Sequence, residues 1–290
     1  LRKLNPVAII DIGSNSVRLV IYEGLSRSPT PLFNEKILCS LGAHIASTGR
    51  LDDEGVERAL AALRRFRVLA DQVGADEMYP LATEAARVAE NGPDFTRRAE
   101  EILGCKINIL SGNEEATYAA NGVSCGFVKP VGVVADMGGG SVEFTAIDCK
   151  PIGTSISLPL GGLRLVDESA NDVLVARKLV KEQLADNPVL AKQKGGTFYA
   201  VGGTWRSLGR LHMARANYPL AVMHSYEISA KEAKRLCSRL TGKNGAAMRG
   251  IEAVSSNRRH LLPFGAVVLS EIMRQMQPEK LVFSALGVRE

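Results

Sequence analysis

Tryptophan occurs once in this chain, and aromatic residues make up only 5% of it. The five cysteines (Cys39, Cys105, Cys125, Cys149 and Cys237) are scattered, odd in number and never spaced C-x-x-C. That excludes a disulfide framework and a cysteine-built zinc site, and leaves reduced thiols as the simple reading. The four histidines are equally dispersed, with no H-E-x-x-H and no pair at helical spacing, so nothing signals histidine chemistry. No stretch of eighteen residues is free of charge, which excludes a membrane-spanning helix. Arg2 and Lys3 precede only a short apolar run before Asp11, too short for the core of a signal peptide. A cytoplasmic protein without a membrane partner is expected. An excess of one charge is also lacking: 36 basic against 31 acidic residues give +5. That is too mild to indicate nucleic acid, but it suits a cleft for a polyanion.

What is present is an ordinary globular composition, 46% hydrophobic and 23% charged. At about 150 residues per domain, 290 residues suggest two domains, each able to bury a core without staples. The chain starts without Met and stops at Arg289-Glu290, so it is expected to be a piece of something longer, without any C-terminal extension.

An internal repeat supports the division. Residues 8–22 read AIIDIGSNSVRLVIY and residues 133–147 read VVADMGGGSVEFTAI, aligned without a gap at an offset of 125. Asp11 falls on Asp136, Gly13 on Gly138, Ser16 on Ser141 and Val17 on Val142. Each copy is an apolar run, an Asp, a small-residue turn and an alternating apolar run, which predicts a β-hairpin opening each half. The expected domains are 1–127 and 128–290, with the junction near 126–130.

The remainder alternates between helix and strand patterns. Asp52 or Asp53 can cap a helix ending at Gly74, followed by a strand at 78–82, a helix at 94–103 and a strand at 106–110. Ser111 and Glu114 form a capping box that opens the next helix. Further helices are predicted at 171–185, 204–213, 229–240 and 265–276, with strands at 198–201 and 281–284. The expected class is α/β, layered sheets covered by helices.

The chemistry is expected at the turns. Gly- and Ser-rich turns expose successive N–H groups that cradle anions: Ser14, Asn15 and Ser16 in the first copy, Gly138, Gly139, Gly140 and Ser141 in the second. Gly202-Gly203-Thr204 ends a strand and opens a helix, a further anion site. Asp11 and Asp136, at strand ends before the turns, are candidates to hold a hydrated Mg²⁺ beside phosphate. Glu114 is occupied with its cap, whereas Glu115, about 100° further round the helix, has no capping duty and is the better candidate to orient water. Alternation places Glu143 with Ser141 and Thr145 on one strand face, two residues beyond the turn, where it can bind metal or water. Arg87 is a candidate phosphate clamp through its planar fork. The clusters Arg64, Arg65, Arg67, then Arg97, Arg98, then Arg258, Arg259 are either a track for a polyanion or solvated helix faces.

The segments DIGSNSVRLVI from Asp11, ATEAARVAEN from Ala82, SGNEEA from Ser111, DMGGGSVEF from Asp136, LPLGGLRL from Leu158, VGGTWRSL from Val201 and LPFGAVVL from Leu262 carry a family resemblance. Together, in order across nearly the whole chain, they resemble the exopolyphosphatase/guanosine pentaphosphate phosphohydrolase family of the actin–Hsp70–sugar kinase superfamily. The resemblance implies two ribonuclease H-like, actin-like ATPase domains with an interdomain active-site cleft. It implies Mg²⁺-dependent release of terminal phosphate from inorganic polyphosphate, or removal of the 5′ γ-phosphate of guanosine pentaphosphate, by a homodimer that binds no nucleic acid. By motif position the catalytic glutamate is Glu115, Asp136 and Glu143 take the metal and water-orienting places, and Arg87 is a phosphate ligand. The chain departs from the family pattern at Glu84, where a small residue is common. A non-catalytic polyphosphate or alarmone-binding module is the alternative from another class, although a pure binder has no use for Glu115.

Overall fold

The computed structural model describes residues 5–27, 29–242 and 245–290. The chain divides into two compact units, Leu1–Glu115 with Arg289–Glu290, and Ala116–Val288. The division thus falls ahead of the expected junction at 126–130, because the helix that ends at Gly126 packs with the second unit from Ala116 onward.

In the first unit, β1 (Val7–Ile12), β2 (Ser16–Tyr22) and β3 (Pro31–Leu38) form an antiparallel meander, one strand more than the expected hairpin. A short helix α1 (Ile45–Thr48) and the long α2 (Asp53–Val73) lead to β4 (Glu77–Ala82), which pairs parallel to β1. Then come α3 (Glu84–Val88), α4 (Gly92–Leu103) and β5 (Asn108–Ile109), followed by α5 (Gly112–Gly126), which belongs to the second unit from Ala116 onward. The sheet order is β3-β2-β1-β4-β5. Helix α2 starts where Asp52 accepts the Gly55 N–H at 2.7 Å and stops at Gly74, whose φ of 73° closes the last turn. Ala59, Leu60, Leu63 and Phe66 on one stripe of α2 pack on Ala8, Ile10, Ile12, Val17, Leu19 and Ile21, the alternate residues of β1 and β2.

The second unit repeats the plan. Its meander is β6 (Val131–Met137), β7 (Val142–Asp148) and β8 (Lys150–Leu158). Helices α6 (Gly162–Glu168), α7 (Val173–Gln183) and α8 (Pro188–Lys192) lead to β9 (Thr197–Val201), parallel to β6. Next are α9 (Gly203–Arg215), β10 (Tyr226–Ser229), α10 (Ala230–Leu240), α11 (Ser256–Arg259), α12 (Leu262–Gln275) and β11 (Lys280–Phe283). The order β10-β11-β9-β6-β7-β8 is that of the first sheet, with one further strand at the edge. β3 and β8 escaped the sequence reading because they are amphipathic edge strands, largely exposed, without the long apolar runs of β1 and β6. One sheet face carries the main core, with Val133, Ala135 and Met137 packed beneath α7, α10 and α12. On the other, Val134 and Ile147 pack with Ala120 and Val123 of α5. No helix among the described residues is long and apolar enough to cross a membrane.

Candidate active site

Parallel pairing places the ends of β1 and β4 at one sheet edge, and likewise the ends of β6 and β9 (Ile12↔Ala82, Asp136↔Val201). The carboxyl edge of such a sheet is where α/β proteins bind ligands, because turns and helix N-termini converge there. Both repeat turns lie at these edges and have the same internal bond: Gly13 N–H donates to Ser16 O at 3.1 Å, and Gly138 N–H to Ser141 O at 3.0 Å.

In the first unit the turn's carbonyls are taken by the segment after β3. Ser14 O accepts from Gly42 N–H at 2.8 Å, and Asn15 O from both Cys39 and Ser40 N–H at 3.1 Å. Ser14 is buried, while Asn15 and Ser16 are half-buried. α3 starts at the same edge, with Glu84 buried in its first turn, where a carboxylate suits the positive helix end. Arg87, in the last turn of α3, commits one N–H to the Leu110 carbonyl. A guanidinium has five donors, so a ligand can still be held. The next residue begins the capping box: Glu114 accepts from Ser111 N–H at 2.8 Å and from its hydroxyl at 2.7 Å, and donates its own N–H back to Ser111 Oγ at 3.3 Å. The Ser111 N–H holds the Glu114 carboxyl below the usual carboxylate range. Glu114 is exposed, whereas Glu115 is 7% exposed.

In the second unit the turn is tied to α6. Gly161 N–H donates to Gly140 O, Gly162 N–H to Gly138 O, and the N–H groups of Leu163 and Arg164 to Gly139 O, at 2.9 to 3.2 Å. A Cβ on Gly161 would lie 2.3 Å from Gly139 C and O and from Gly140 C, so only glycine admits the approach. This is the physical content of LPLGGLRL, for which the residues alone suggested no role. With the carbonyls drawn toward α6, no backbone carbonyl among the described residues accepts from the N–H groups of Gly139 and Gly140. Ser14 and Asn15 show the same pattern in the first unit. Such N–H groups are the donors that an anion cradle needs.

The two copies differ at one position. Asp11 stands across the strand pair from Arg18, while Asp136 stands across from Glu143. Directly opposed residues share a sheet face, so the first unit sets a cation beside its Asp and the second sets a carboxylate. Arg289 adds a second cation in the first unit, its Nη1 donating to Asp11 Oδ2 at 2.7 Å. Burial opposes the Arg289 charge, but Asp11 and Glu290 outweigh it and raise its pKa. Asp11, expected to hold metal, pairs with Arg289 in this structure. Among the described residues no three His, Cys, Asp or Glu side chains group to hold a metal. Asp136 and Glu143 do fit Mg²⁺, which takes one or two carboxylates and fills its shell with water and phosphate oxygens. Glu143 is 1% exposed and accepts from Ser157 Oγ at 2.8 Å. Gly202 and Gly287 leave space beside Asp136: a Cβ would come 2.9 Å from its Oδ1 at Gly202 and 3.6 Å from its Oδ2 at Gly287.

The third turn adjoins at the same edge, with Gly202 at φ 97° and Thr204 buried in the first turn of α9. Arg258, which the sequence suggested for a surface track, packs here: a Cβ on Gly203 would lie 2.1 Å from its Nη1. Burial, and then Arg210, lowers the Arg258 pKa, the condition of a cation that gains from an anion. The other clustered arginines are mostly neutralised on helix faces: Arg65 by Glu35, Arg67 by Asp71, Arg97 by Asp94 and Glu101, and Arg98 by Glu57. Arg289, Gly287, Gly161 and Ser157 were missed as site residues, since each reaches its partner through long-range pairing that no local spacing reports.

A repeated mixed α/β plan, with a meander, a parallel crossover and a small-residue turn at each carboxyl edge, is that of the two-domain actin-like fold. The chain belongs to the Ppx/GppA phosphatase family, which it matches over residues 20–290. Exopolyphosphatase 2 of Mycobacterium tuberculosis is 28% identical over 295 residues, covering 94% of this chain and 92% of the relative. Exopolyphosphatase 1 of Mycobacterium leprae is 28% identical over 98% of this chain and 87% of its own length. Among solved structures, an exopolyphosphatase from Cytophaga hutchinsonii superposes with a TM-score of 0.87 at 22% identity, covering 98% of this chain and 95% of the other. The Aquifex aeolicus family member gives 0.78 at 24% identity, covering 99% and 95%.

Proposed function

We propose that this protein is an exopolyphosphatase, releasing terminal orthophosphate from inorganic polyphosphate by Mg²⁺-assisted attack of water. The observation that carries the reading is the exchange of Arg18 for Glu143 between two otherwise matching hairpins. Opposed carboxylates across a strand pair repel one another, and a phosphoryl-transfer site that takes up Mg²⁺ makes use of both. The exopolyphosphatase names of relatives aligned over more than nine-tenths of this chain support polyphosphate as the substrate.

In this mechanism the N–H groups of Gly139 and Gly140, with the Ser141 hydroxyl, receive terminal phosphate oxygens. Ser14, Asn15 and Ser16 offer a second cradle of the same build, and Arg87, Thr204 and Arg258 add donors and charge. Asp136 and Glu143 would hold Mg²⁺, which when bound supplies neutralising charge for phosphate oxygens. Glu115 orients and deprotonates the attacking water. Its helix supports that role: from Ala116 onward α5 packs on the sheet face that bears Asp136 and Glu143, and the Ala116 carbonyl accepts from Thr145 Oγ1 at 3.3 Å. Phosphoryl transfer is mostly positioning and electrostatics, so no covalent nucleophile is required. The P–O bond to the penultimate phosphate breaks as the water–phosphorus bond forms, releasing orthophosphate and a chain shorter by one unit.

The test is phosphate release from long-chain polyphosphate and from guanosine pentaphosphate, each with Mg²⁺ and with chelator. Mg²⁺-dependent release from polyphosphate is expected to be the faster. Release from guanosine pentaphosphate alone would reassign the substrate, and binding without release from either would leave a binding module.

A further inference from the structure

We infer that the helical face of the second unit built by α7, α10 and α12 carries a separate binding site for a condensed-phosphate chain; the ligand's identity rests on the function proposed above. Two adjoining pockets of about 290 and 240 Å³ share Arg177, Ser270 and Arg274 and so form one groove over α12. Buried Val180 and Val267 and half-buried Ser270 make its floor. Arg177 and Lys181 of α7 form one wall, and Lys234 and Ser238 of α10 the other. Arg177 Nη2 donates to Thr241 Oγ1 at 3.2 Å, which bridges the two walls at the end of α10. None of the residues of the three glycine turns lines the groove.

Its electrostatics are one-sided. α7 carries Arg177, Lys178 and Lys181 against Glu182, and α10 carries Lys231, Lys234, Arg235 and Arg239 against Glu232. The carboxylates near the groove are already engaged. Glu232 closes the capping box of α10 on Ser229, and Glu271, the one acid among the described lining residues, binds Arg274 and Gln275. Arg274, and then Gln275, hold the Glu271 carboxyl below its ordinary range. This contrasts with the first unit, where arginines in comparable numbers on α2 and α4 are matched by acids.

The lining selects among polyanions. Arg177, Lys181 and Lys234 supply charge, and the Ser238 hydroxyl lies beside them, while the Thr241 hydroxyl donates to the Cys237 carbonyl at 3.1 Å. No aromatic side chain lines it among the described residues, so there is no platform for stacked bases. A bare phosphate chain needs only cations and donors, so this lining suits it better than a nucleic acid.

The double variant Arg177→Glu/Lys234→Glu tests this, and both positions are exposed, so the fold should tolerate it. Full-length protein is titrated calorimetrically with long-chain polyphosphate in chelator at several salt concentrations, and tripolyphosphate hydrolysis is measured in parallel. We expect long-chain affinity to fall by about tenfold and the log-affinity against log-salt slope to flatten by about two, as cation–phosphate contacts are lost. The kcat and KM for tripolyphosphate should not change. Unchanged long-chain affinity and slope would overturn the site, and so would single-stranded oligonucleotide binding to the wild type as tightly as polyphosphate in a groove-dependent manner. If the wild type hydrolyses neither substrate but the titration still responds to the variant, the proposed activity fails and the groove stands.

Discussion

Asp11 Oδ2 accepts from Arg289 Nη1 at 2.7 Å across a sequence separation of 278 residues. The pair lies on the face of β1 opposite the core, together with Arg18, and Tyr22 Oη donates to Glu290 Oε1 at 3.1 Å beside it. The Arg289 and Asp11 side chains are only 12% and 20% exposed, so the pair is substantially shielded from water.

Removing one member of a buried pair leaves a stranded charge, at about 3–5 kcal/mol when burial is complete. With the exposure seen here, Arg289→Met should lower unfolding stability by about 2 kcal/mol in urea. Arg289→Met combined with Asp11→Asn should cost less than the sum of the two single changes, as contacting residues couple. Additive losses would show that the contact contributes nothing.

The capping box gives a paired test in catalysis and pH. Glu115→Gln should cut kcat by about 10²–10⁴-fold with little change in binding, the usual loss for a general base. Glu114→Gln should retain activity, and Ser111→Ala should destabilise by about 1 kcal/mol. Because Glu114 has a depressed pKa, the folded state binds its proton less readily than the unfolded state. Its contribution is therefore fully present above the unfolded carboxylate pKa of about 4.3 and fades as pH falls through the lower folded value. Urea midpoints of wild type and Ser111→Ala should converge over that acidic window. A dead Glu114→Gln with an active Glu115→Gln would reverse the two roles.

Much of this arrangement was legible beforehand because it is local. The hairpin repeat, the Ser111–Glu114 cap, the αL end of α2 at Gly74 and the strand-to-helix turn at Gly202 are each fixed by residues within a few positions. The expected helices at 94–103 and 229–240 lie within a few residues of α4 and α10 for the same reason. What was not legible depends on pairing at a distance. Nothing near Asp11 reports Arg289, and nothing near Gly203 reports the Arg258 guanidinium packed upon it. Asp11 looked equivalent to Asp136 because the repeat aligns them. Their difference comes from the partner across the strand pair, Arg18 against Glu143, a comparison the alignment contained but its shared positions obscured.

That difference predicts opposite responses to metal. Asp136→Asn and Glu143→Gln should each raise the Mg²⁺ concentration required for activity and reduce the Mg²⁺-induced rise in Tm. Asp11→Asn should leave the Mg²⁺ requirement near that of the wild type. In chelator, Glu143→Gln should be more stable than wild type by about 0.2–1 kcal/mol, because the change removes a like-charge cross-strand pair while keeping the side-chain shape. A Mg²⁺ requirement that moves with Asp11→Asn and not with Asp136→Asn would put the metal in the other unit.

Gly161 tests whether the second cradle is held from behind by α6. An added Cβ meets backbone atoms of Gly139 and Gly140 at 2.3 Å, and neither can rotate aside as a flexible side chain would. Gly161→Ala must therefore move the helix start or the turn, breaking some of the bonds from residues 161–164 to the carbonyls of 138–140. Overpacking of this kind costs typically about 1–3 kcal/mol. Catalysis should suffer beyond the stability loss, since turning a peptide of the cradle redirects its N–H groups away from phosphate. Gly153→Ala is the control: its φ of 71° strains alanine too, but no atom lies within 4 Å of the added Cβ and the residue is in an edge strand. At a temperature where both variants remain folded, Gly161→Ala should lose far more kcat/KM for polyphosphate than Gly153→Ala, with the deficit in both KM and kcat. Equal kcat/KM for the two variants would mean the turn keeps its N–H groups in place without α6 behind it.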